Sequence, residues 1–560
     1  MKSDFAKLPQ RSKAAEFFRE SPLDLLVVGG GIVGAGIIRD AAMRGLRAGL
    51  VEQHDFAFGT SSRSSRLLHG GMRYLAQGRI GLVRESSVEK TIVQHIAQHL
   101  AEPLAFVFPT FRGNRNWKLW QLKIGVKIYD LLCSGRNFGK STWLSRDETL
   151  QKVPSLRHEG LNGSVRYFDA FTNDARLVLD TLCSAAKNGA ALLNYCRFKT
   201  ASHNEFWECE VEDLLTAETY KLQARAVVNA TGPWADGLPH SQVKLRLTKG
   251  IHLVIDRKRL PLTDTLVMTE GKRILFAVPW GERLILGTTD TDYNGSLDDV
   301  RVEAADVRYV LDIANQHFPD VSLRTKDVIG SWAGLRPLIA DPHGKPSDIS
   351  RSHQIDNPET GWWDVAGGKL TTYRLMAEQT VDQIVKWLSA WDRSSAAGWR
   401  GGVGITHPAN SAESMASHDG KVGRGVPTAP PNVKKAFSKC RTATEPLLSP
   451  AETEGVSGIL PPEFCRKAVE HYCANEWAID LEDVMVRRTR WHYYFPNAAQ
   501  MADQVADWMS ELLGWSEVTR SAQLHRYHQL TCGSEDSQNS HKHSSANIQS
   551  GRRVHDEVHG

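Results

Sequence analysis

Residues 23–52 read LDLLVVGGGIVGAGIIRDAAMRGLRAGLVE, and this segment determines which fold we expect. Its apolar run at 23–28 predicts a short buried strand, which three consecutive glycines follow at once. The next stretch, 32–44, predicts a helix that ends at Gly45, and 46–51 predicts a second strand. Strand, helix and strand within about 30 residues form a βαβ unit, which predicts a parallel sheet of the Rossmann type.

The glycines of this unit have the spacing of a dinucleotide-binding turn, Gly29-x-Gly31-x-x-Gly34. The first glycine permits the tight turn, the second lets the backbone approach a pyrophosphate, and the third lets the helix pack closely on the strand. The N–H groups at the start of the helix then face the phosphate charges. Glu52 ends the second strand, where a carboxylate can accept hydrogen bonds from a ribose hydroxyl. This pattern predicts a dinucleotide site, but it does not separate FAD from NAD.

The composition narrows the class of protein. The chain has 560 residues, 41% apolar and 24% charged, which is ordinary for a soluble globular protein. A net charge of +4 is too small to indicate nucleic-acid binding, although clustered positive charge would suit an anionic substrate or an anionic membrane surface. The eight cysteines form no C-x-x-C pair and have no zinc-ligand spacing, which favours reduced thiols in the cytoplasm. We expect no transmembrane helix, because no run of 18 apolar residues occurs, and no secretory signal, because the N-terminus lacks the apolar region of a signal peptide.

Changes in composition divide the chain into parts. The expected parts are an N-terminal extension at 1–21, a nucleotide-binding body at 22–390, a Gly-, Ser- and Pro-rich linker at 391–432, a separate helical domain at 433–532 and a disordered tail at 533–560. Within the body we expect substrate-binding insertions at about 80–150, which looks mainly helical, and at about 236–325.

Several motifs outside the first unit carry a family resemblance. Asn229-Ala230-Thr231-Gly232 follows a predicted strand and resembles the second FAD-contacting turn of two-domain flavoproteins. The remaining blocks are Thr60–Leu75 (TSSRSSRLLHGGMRYL), Phe168–Ala170 (FDA), Asn173–Leu177 (NDARL), Lys249–His252 (KGIH), Gly287–Asp290 (GTTD), Gly334–Leu338 (GLRPL) and Gly367–Arg374 (GGKLTTYR). In this order they span most of 22–390 and resemble the FAD-dependent, membrane-associated glycerol-3-phosphate dehydrogenases, with a weaker match (RRTR) at 487–490. One departure is Ile251, where the family often has serine.

The resemblance implies a fold and a cofactor. The expected fold is α/β, with a Rossmann-like FAD-binding domain, an inserted α+β substrate domain and a C-terminal helical domain. The expected cofactor is FAD. The residues expected to bind it are Gly29, Gly31, Gly34, Glu52, Thr60, Ser61, Ser62, His69, Gly70, Gly71, Thr231, Gly232, Gly368, Lys369 and Leu370.

The resemblance also implies a substrate, sn-glycerol 3-phosphate, which carries nearly two negative charges and needs converging cations. It assigns Arg351 and Lys369 to the phosphate and Tyr74 to a hydroxyl contact. Arg73 and Arg273 are further candidates at the substrate or flavin edge.

The implied reaction is hydride transfer from substrate C2 to FAD, which gives dihydroxyacetone phosphate. The resemblance places Arg336 beside the C2 hydroxyl, and we favour a stabilising role because a guanidinium rarely gives up its proton. His252 has a pKa better suited to proton transfer, although a buried structural histidine is the competing interpretation.

Electrons are expected to pass to membrane quinone, as in the family. The segment 117–129, WKLWQLKIGVKIY, alternates lysines with aromatic and aliphatic residues, which suits a helix lying in an anionic lipid surface. We therefore expect a cytoplasmic protein attached peripherally to the inner membrane. A homodimer is an arrangement that the sequence leaves open.

Two other functions remain as alternatives. One is an FAD oxidase of the same fold that uses oxygen and acts on glycerol 3-phosphate or an amine. The other is a non-catalytic flavin-binding protein, against which the blocks containing His252, Arg336 and Lys369 argue.

No metal is expected. The segment Asp290-x-Asp292-x-Asn294-Gly295 begins like a calcium-binding loop, but Arg301 stands where that loop requires glutamate. The histidines near the C-terminus lie in the segment predicted to be disordered.

Overall fold

A computed structural model of the chain describes residues 9–114, 116–133, 137–340, 353–398 and 444–544. The strands are β1 Leu23–Val28, β2 Ala48–Val51, β3 Leu67–Leu68, β4 Glu102–Phe111, β5 Thr142–Leu144, β6 Leu161–Phe171, β7 Ala191–Leu193, β8 Cys196–His203, β9 Trp207–Asp213, β10 Thr219–Asn229, β11 Leu245–Asp256, β12 Thr265–Glu270, β13 Arg273–Trp280, β14 Arg283–Gly287, β15 Thr291–Asp292, β16 Val328–Ile339, β17 His353–Glu359 and β18 Trp362–Gly367. The helices are α1 Pro9–Glu20, α2 Ile32–Met43, α3 Ile80–Ile96, α4 Leu119–Leu132, α5 Arg146–Lys152, α6 Asp174–Lys187, α7 Ala304–His317, α8 Tyr373–Gly398, α9 Pro450–Thr453, α10 Arg466–Asn475, α11 Trp491–Tyr494, α12 Ala498–Leu513 and α13 Glu517–Ser544.

The first sheet is built around the βαβ unit that the sequence predicts. Strand β1 pairs in parallel with β2 and with β10, and β10 pairs in parallel with β18. All six residues of β1 are buried, as expected for a strand covered on both faces. Helices α2, α6 and α8 contribute to the hydrophobic cluster on one face. Strand β7 also pairs in parallel with β2, so the carboxyl ends of five parallel strands meet at one edge, where open α/β sheets bind ligands.

The opposite face of the first sheet is covered by α1 and by the β8–β9 hairpin. Phe18 is buried there, and Arg11 donates a hydrogen bond of 2.6 Å to the carbonyl of Asn194 and one of 3.1 Å to Asp213. Part of the predicted N-terminal extension is thus a helix packed on the sheet, and residues 1–8 lie outside the described part.

The second sheet has ten strands, in the order β15-β11-β14-β13-β12-β4-β6-β3, with β16 beside β11 and β5 beside β6. The region 80–150 is mainly helical, as predicted, because it contains α3, α4 and the start of α5. The sequence did not predict that Glu102–Phe111 forms a strand between β6 and β12. Its last seven residues are all buried, so this part of the strand lacks the alternation of polar and apolar residues that separates a strand from a buried helix.

The C-terminal helices pack against the second sheet instead of standing apart from it. Tyr472 and Trp491 of this region belong to the same hydrophobic cluster as Trp280 and Trp332 of the sheet. Trp280 also donates a hydrogen bond of 3.2 Å to the carbonyl of Ile459. The helical domain that the sequence predicts therefore shares its core with the body.

Two predicted boundaries differ from the observed helices. Helix α8 continues to Gly398, past the predicted end of the body at 390, and the rest of the predicted linker falls within 399–443, outside the described residues. Helix α13 runs to Ser544, into the predicted disordered tail, because an established helix extends without a new nucleus. Of the helices described, none is long and apolar enough to cross a membrane.

Candidate functional site

A cavity of about 930 Å³ lies between the carboxyl edge of the first sheet and one face of the second. The predicted site residues that line it are Gly29, Gly31, Glu52, Thr60, Ser61, His69, Gly71, Tyr74, Thr231, Gly232, His252, Arg273, Arg336, Gly368, Lys369 and Leu370. The fold thus brings together residues from the turns after β1, β2, β10 and β18 and residues from the second sheet.

The first glycine turn leaves no room for side chains. Gly29 has φ +109°, and a Cβ there would lie 2.6 Å from the carbonyl oxygen of Ala230. A Cβ at Gly34 would lie 1.9 Å from the carbonyl oxygen of Gly29, so this residue lets the helix approach the strand. The turn and the start of α2 therefore form the narrow cradle that a pyrophosphate requires.

Glu52 is held in place beside this cradle. One carboxylate oxygen accepts a hydrogen bond of 2.7 Å from the N–H of Gly30, and the other accepts one of 2.8 Å from the N–H of His54. Burial raises the pKa of Glu52 above its ordinary value, although these two backbone bonds act in the opposite direction. Each oxygen keeps a lone pair for a ribose hydroxyl.

Three predicted cofactor residues do not line the cavity: Gly34, Ser62 and Gly70. Ser62 is buried, and the N–H of Gly70 donates a hydrogen bond of 2.8 Å to the hydroxyl of Tyr129. Ser61 lies nearer to the turn, since its hydroxyl accepts a hydrogen bond of 3.0 Å from the N–H of Ile32. These contacts hold the neighbouring residues that line the cavity in position.

The second sheet brings the predicted catalytic residues to one face. Gly250 and His252 are two residues apart on β11, so they lie on the same face of the sheet. Gly334 and Trp332 stand opposite them on β16, and Arg336 lies two residues further along on the same face. The period of two along both strands therefore explains why Arg336 and His252 line one cavity.

Arg336 is fixed by a small set of contacts. Its guanidinium donates to the hydroxyl of Thr288 at 2.9 Å and to the carbonyl of Thr289 at 3.1 Å, and it forms an ion pair of 3.2 Å with Asp290. A Cβ at Gly250 would lie only 2.4 Å from Nη2, so only glycine lets the guanidinium lie against β11.

His252 is buried beside Arg336. Its Nε2 lies 2.7 Å from the hydroxyl of Ser65, and its ring stacks on Trp332 with 5.1 Å between centroids. Burial, followed by the positive charges of Arg336 and Arg66, holds the pKa of His252 well below its ordinary value. The imidazole is therefore neutral at pH 7 and able to accept a proton.

Further cations border the same cavity. The ammonium of Lys369 lies 4.4 Å from the ring centroid of Tyr74 and donates a hydrogen bond of 3.1 Å to Ser86. Arg273 donates one of 3.2 Å to the hydroxyl of Tyr309. These groups supply the positive potential that an anionic substrate requires.

Two predicted substrate residues cannot be compared with the cavity. Arg351 lies outside the described residues, and Arg73 belongs to the short helix Met72–Gln77, at a position whose side chain is not described. Within the described ranges, no group of three or more His, Cys, Asp or Glu side chains could hold a metal ion.

Arg66 lies in the block Thr60–Leu75, and the sequence predicts no role for it. This side chain is 1% exposed, and its guanidinium lies 4.1 Å from the ring centroid of Trp280 and 4.7 Å from that of Trp332. Burial, reinforced by Arg490, lowers its pKa to about 9. A single sequence could not reveal the burial of Arg66, because Trp280, Trp332 and Arg490 lie far from it along the chain.

The glycine turn, the acid at the end of β2 and the cavity with a neutral histidine between arginines define a dinucleotide-dependent oxidoreductase. A family model described as "FAD dependent oxidoreductase" matches residues 24–383, and one described as "C-terminal domain of alpha-glycerophosphate oxidase" matches residues 451–520.

Similar proteins narrow the family. An aerobic glycerol-3-phosphate dehydrogenase of Staphylococcus epidermidis is 32% identical over 92% of this chain and 95% of its own length. One of Staphylococcus haemolyticus is 34% identical over 88% of this chain and 91% of its own. The glycerol-3-phosphate dehydrogenase of Bacillus halodurans, solved with FAD, has a TM-score of 0.67 at 28% identity and covers 93% of this chain and 97% of its own. The chain belongs to the family of FAD-dependent, aerobic glycerol-3-phosphate dehydrogenases, and its cofactor is FAD.

The fold is also shared more widely. The FAD-bound L-α-glycerophosphate oxidase of Mycoplasma pneumoniae has a TM-score of 0.53 at 16% identity, covering 65% of this chain and 95% of its own. At this identity the likeness concerns the fold alone.

Proposed function

We propose that the protein oxidises sn-glycerol 3-phosphate to dihydroxyacetone phosphate, with FAD as hydride acceptor. The observation that carries the proposal is one cavity that combines a neutral, buried His252 with the cations Arg336, Lys369 and Arg273. The names of the similar dehydrogenases support the same substrate.

In this proposal the substrate phosphate binds to the cationic part of the cavity. Lys369 offers a point charge, and Arg273 offers a planar set of donors that suits phosphate oxygens. Tyr74 borders the same space, and Arg73 and Arg351 remain proposed contacts. Binding energy from the phosphate would orient the carbon chain, which is how remote groups of a substrate contribute to rate.

FAD, when bound on the turns that carry Gly29, Glu52 and Gly368, supplies the hydride-accepting chemistry. The chain's own residues handle the proton and the charge. Neutral His252 accepts the proton of the C2 hydroxyl, and Arg336 stabilises the negative charge that develops on that oxygen. A guanidinium held by three partners suits this task, because it needs no reorganisation during the reaction.

Turnover with an artificial electron-accepting dye tests the substrate. We expect turnover with sn-glycerol 3-phosphate and dihydroxyacetone phosphate as product, and no turnover with sn-glycerol 1-phosphate or glycine. Turnover with glycine alone would instead support an amine oxidase of the same fold.

We also propose that the protein attaches peripherally to the cytoplasmic face of the inner membrane and passes its electrons to quinone. The supporting observation is an apolar stripe on α4. Trp120, Ile124, Ile128 and Leu131 follow helical spacing and are 59%, 54%, 40% and 76% exposed. Trp143 lies beside them, and the ammonium of Lys123 lies 3.8 Å from its ring centroid. Exposed apolar residues with flanking lysines suit an anionic lipid surface.

Vesicles test this attachment. Trp120→Ser with Ile124→Ser should lower co-sedimentation with phosphatidylglycerol vesicles about tenfold or more, since both side chains would leave the lipid. Val518→Ser is the matched control, because this apolar residue of α13 is 67% exposed and lies outside the stripe. Equal loss in both variants would contradict a membrane role for α4.

The electron acceptor needs its own test. With a short-chain ubiquinone under nitrogen we expect sustained turnover, and in air without quinone we expect little peroxide. Stoichiometric peroxide with no response to quinone would identify an oxidase instead.

A further inference from the structure

The segment 487–490, RRTR, is the feature of the C-terminal domain that the proposed chemistry does not use. We call it the arginine segment. Its arginines are 2%, 1% and 0% exposed, although arginine is almost never buried without a partner. One turn of π-helix, Asp483–Arg488, precedes Arg490, whose φ is +63°. This backbone directs several cationic side chains out of the helical domain and into the body.

Arg490 contacts the chain immediately beside the predicted cofactor residues. Its Nη1 donates a hydrogen bond of 2.9 Å to the carbonyl of Ser62, and its Nη2 pairs with the buried carboxylate of Asp174. Asp174 in turn accepts hydrogen bonds from the N–H and the hydroxyl of Ser64, at 2.9 and 2.7 Å. One arginine of the C-terminal domain thus holds this loop directly and through a shared carboxylate.

Arg487 and Arg488 hold the other end of the same loop. Both pair with Asp55, which is 1% exposed and lies three residues after Glu52. Burial alone would raise the pKa of Asp55, but Arg488 and Arg487 keep it below its ordinary value. Asn194 adds a hydrogen bond of 3.3 Å to the same carboxylate. The charged state of this buried carboxylate therefore depends on the arginine segment.

Residues 55–64, which we call the flavin loop, lie between these two attachments. The loop carries Thr60 and Ser61, which line the cavity. The next residue beyond its end, Ser65, pairs with His252, and Trp332 donates a hydrogen bond of 3.2 Å to the carbonyl of Ser64. A shift of the flavin loop would therefore move both cofactor contacts and the partner of the catalytic histidine.

We propose that the arginine segment is a set of positioning residues through which the C-terminal domain holds the flavin loop in its FAD-binding conformation. The inference depends on FAD occupying the cavity and not on which substrate is oxidised. It assigns the C-terminal domain a role in cofactor retention.

The test follows FAD leaving the full-length holoenzyme on dilution, measured as the rise in flavin fluorescence. Arg490→Lys loses the planar set of donors, and Asp174→Asn removes the shared charge without changing shape. In each we expect FAD dissociation at least about tenfold faster, because truncating a buried charged pair leaves its partner unsatisfied. Arg520→Lys is the matched control, since its ion pair of 2.7 Å with Asp507 is on the surface of the same domain.

A merely structural role would lower Tm in these variants and leave FAD dissociation within about twofold of wild type. That result would overturn the proposal. If neither variant yields holoenzyme, amide hydrogen exchange of the wild-type protein tests the proposal instead. We expect the flavin loop and the arginine segment to become exchangeable together, and independent opening would overturn the proposal. These measurements use no substrate, so failure of the proposed oxidation would not affect them.

Discussion

Substituting Gly250 by alanine should disable the enzyme without removing its cofactor. The added Cβ would lie 2.4 Å from Nη2 of Arg336 and 2.6 Å from the hydroxyl of Thr288. Ordinary contact for a Cβ begins at 3.4 Å, and the difference from 2.4 Å means that the guanidinium must move by 1.0 Å. Misplacement of a catalytic group by about 1 Å can lower a rate about a hundredfold. We therefore expect kcat to fall about a hundredfold.

The assay is dye-linked turnover at saturating glycerol 3-phosphate, with the FAD content measured by absorbance in the same samples. Gly81→Ala is the matched control, because a Cβ there meets no atom within 4 Å. We expect the control to keep its activity and both variants to keep FAD. A Gly250→Ala holoenzyme with wild-type kcat would refute the role given to the position of Arg336.

Three further predictions follow from the same geometry. Glu52→Ala removes two charge-assisted hydrogen bonds and should weaken FAD binding about tenfold or more, measured by flavin fluorescence. Lys369→Met should raise KM for glycerol 3-phosphate about tenfold and change kcat little, since the ammonium binds substrate and transition state alike. The acidic limb of kcat/KM should lie below pH 6.5, because the lowered pKa of His252 keeps the imidazole neutral to lower pH. Arg336→Gln should move that limb to higher pH, since it removes a charge that lowers this pKa.

The part of the fold that the sequence predicts correctly is local. The βαβ unit at 23–52 is contained in one stretch of chain, so glycine spacing and apolar periodicity are sufficient to define it.

The part that could not be predicted depends on distant partners. The fully buried end of β4 carries no alternation, so only its pairing with β6 and β12 identifies it as a strand. The approach of Gly250 to Arg336 follows from the register of β11 against β16, which a single sequence does not contain. Similarly, RRTR at 487–490 reads as four polar residues, and only the packing of this segment against Asp55 and Asp174 of the body explains why its arginines are buried.

The most direct test of the proposed function is an anaerobic titration of the purified holoenzyme with glycerol 3-phosphate, followed through the visible absorption of its flavin. We expect the band to bleach and dihydroxyacetone phosphate to appear in proportion to the FAD reduced. Dithionite provides the control for complete reduction. A band that dithionite bleaches and glycerol 3-phosphate leaves unchanged would contradict the proposed substrate, while leaving the FAD-binding fold in place.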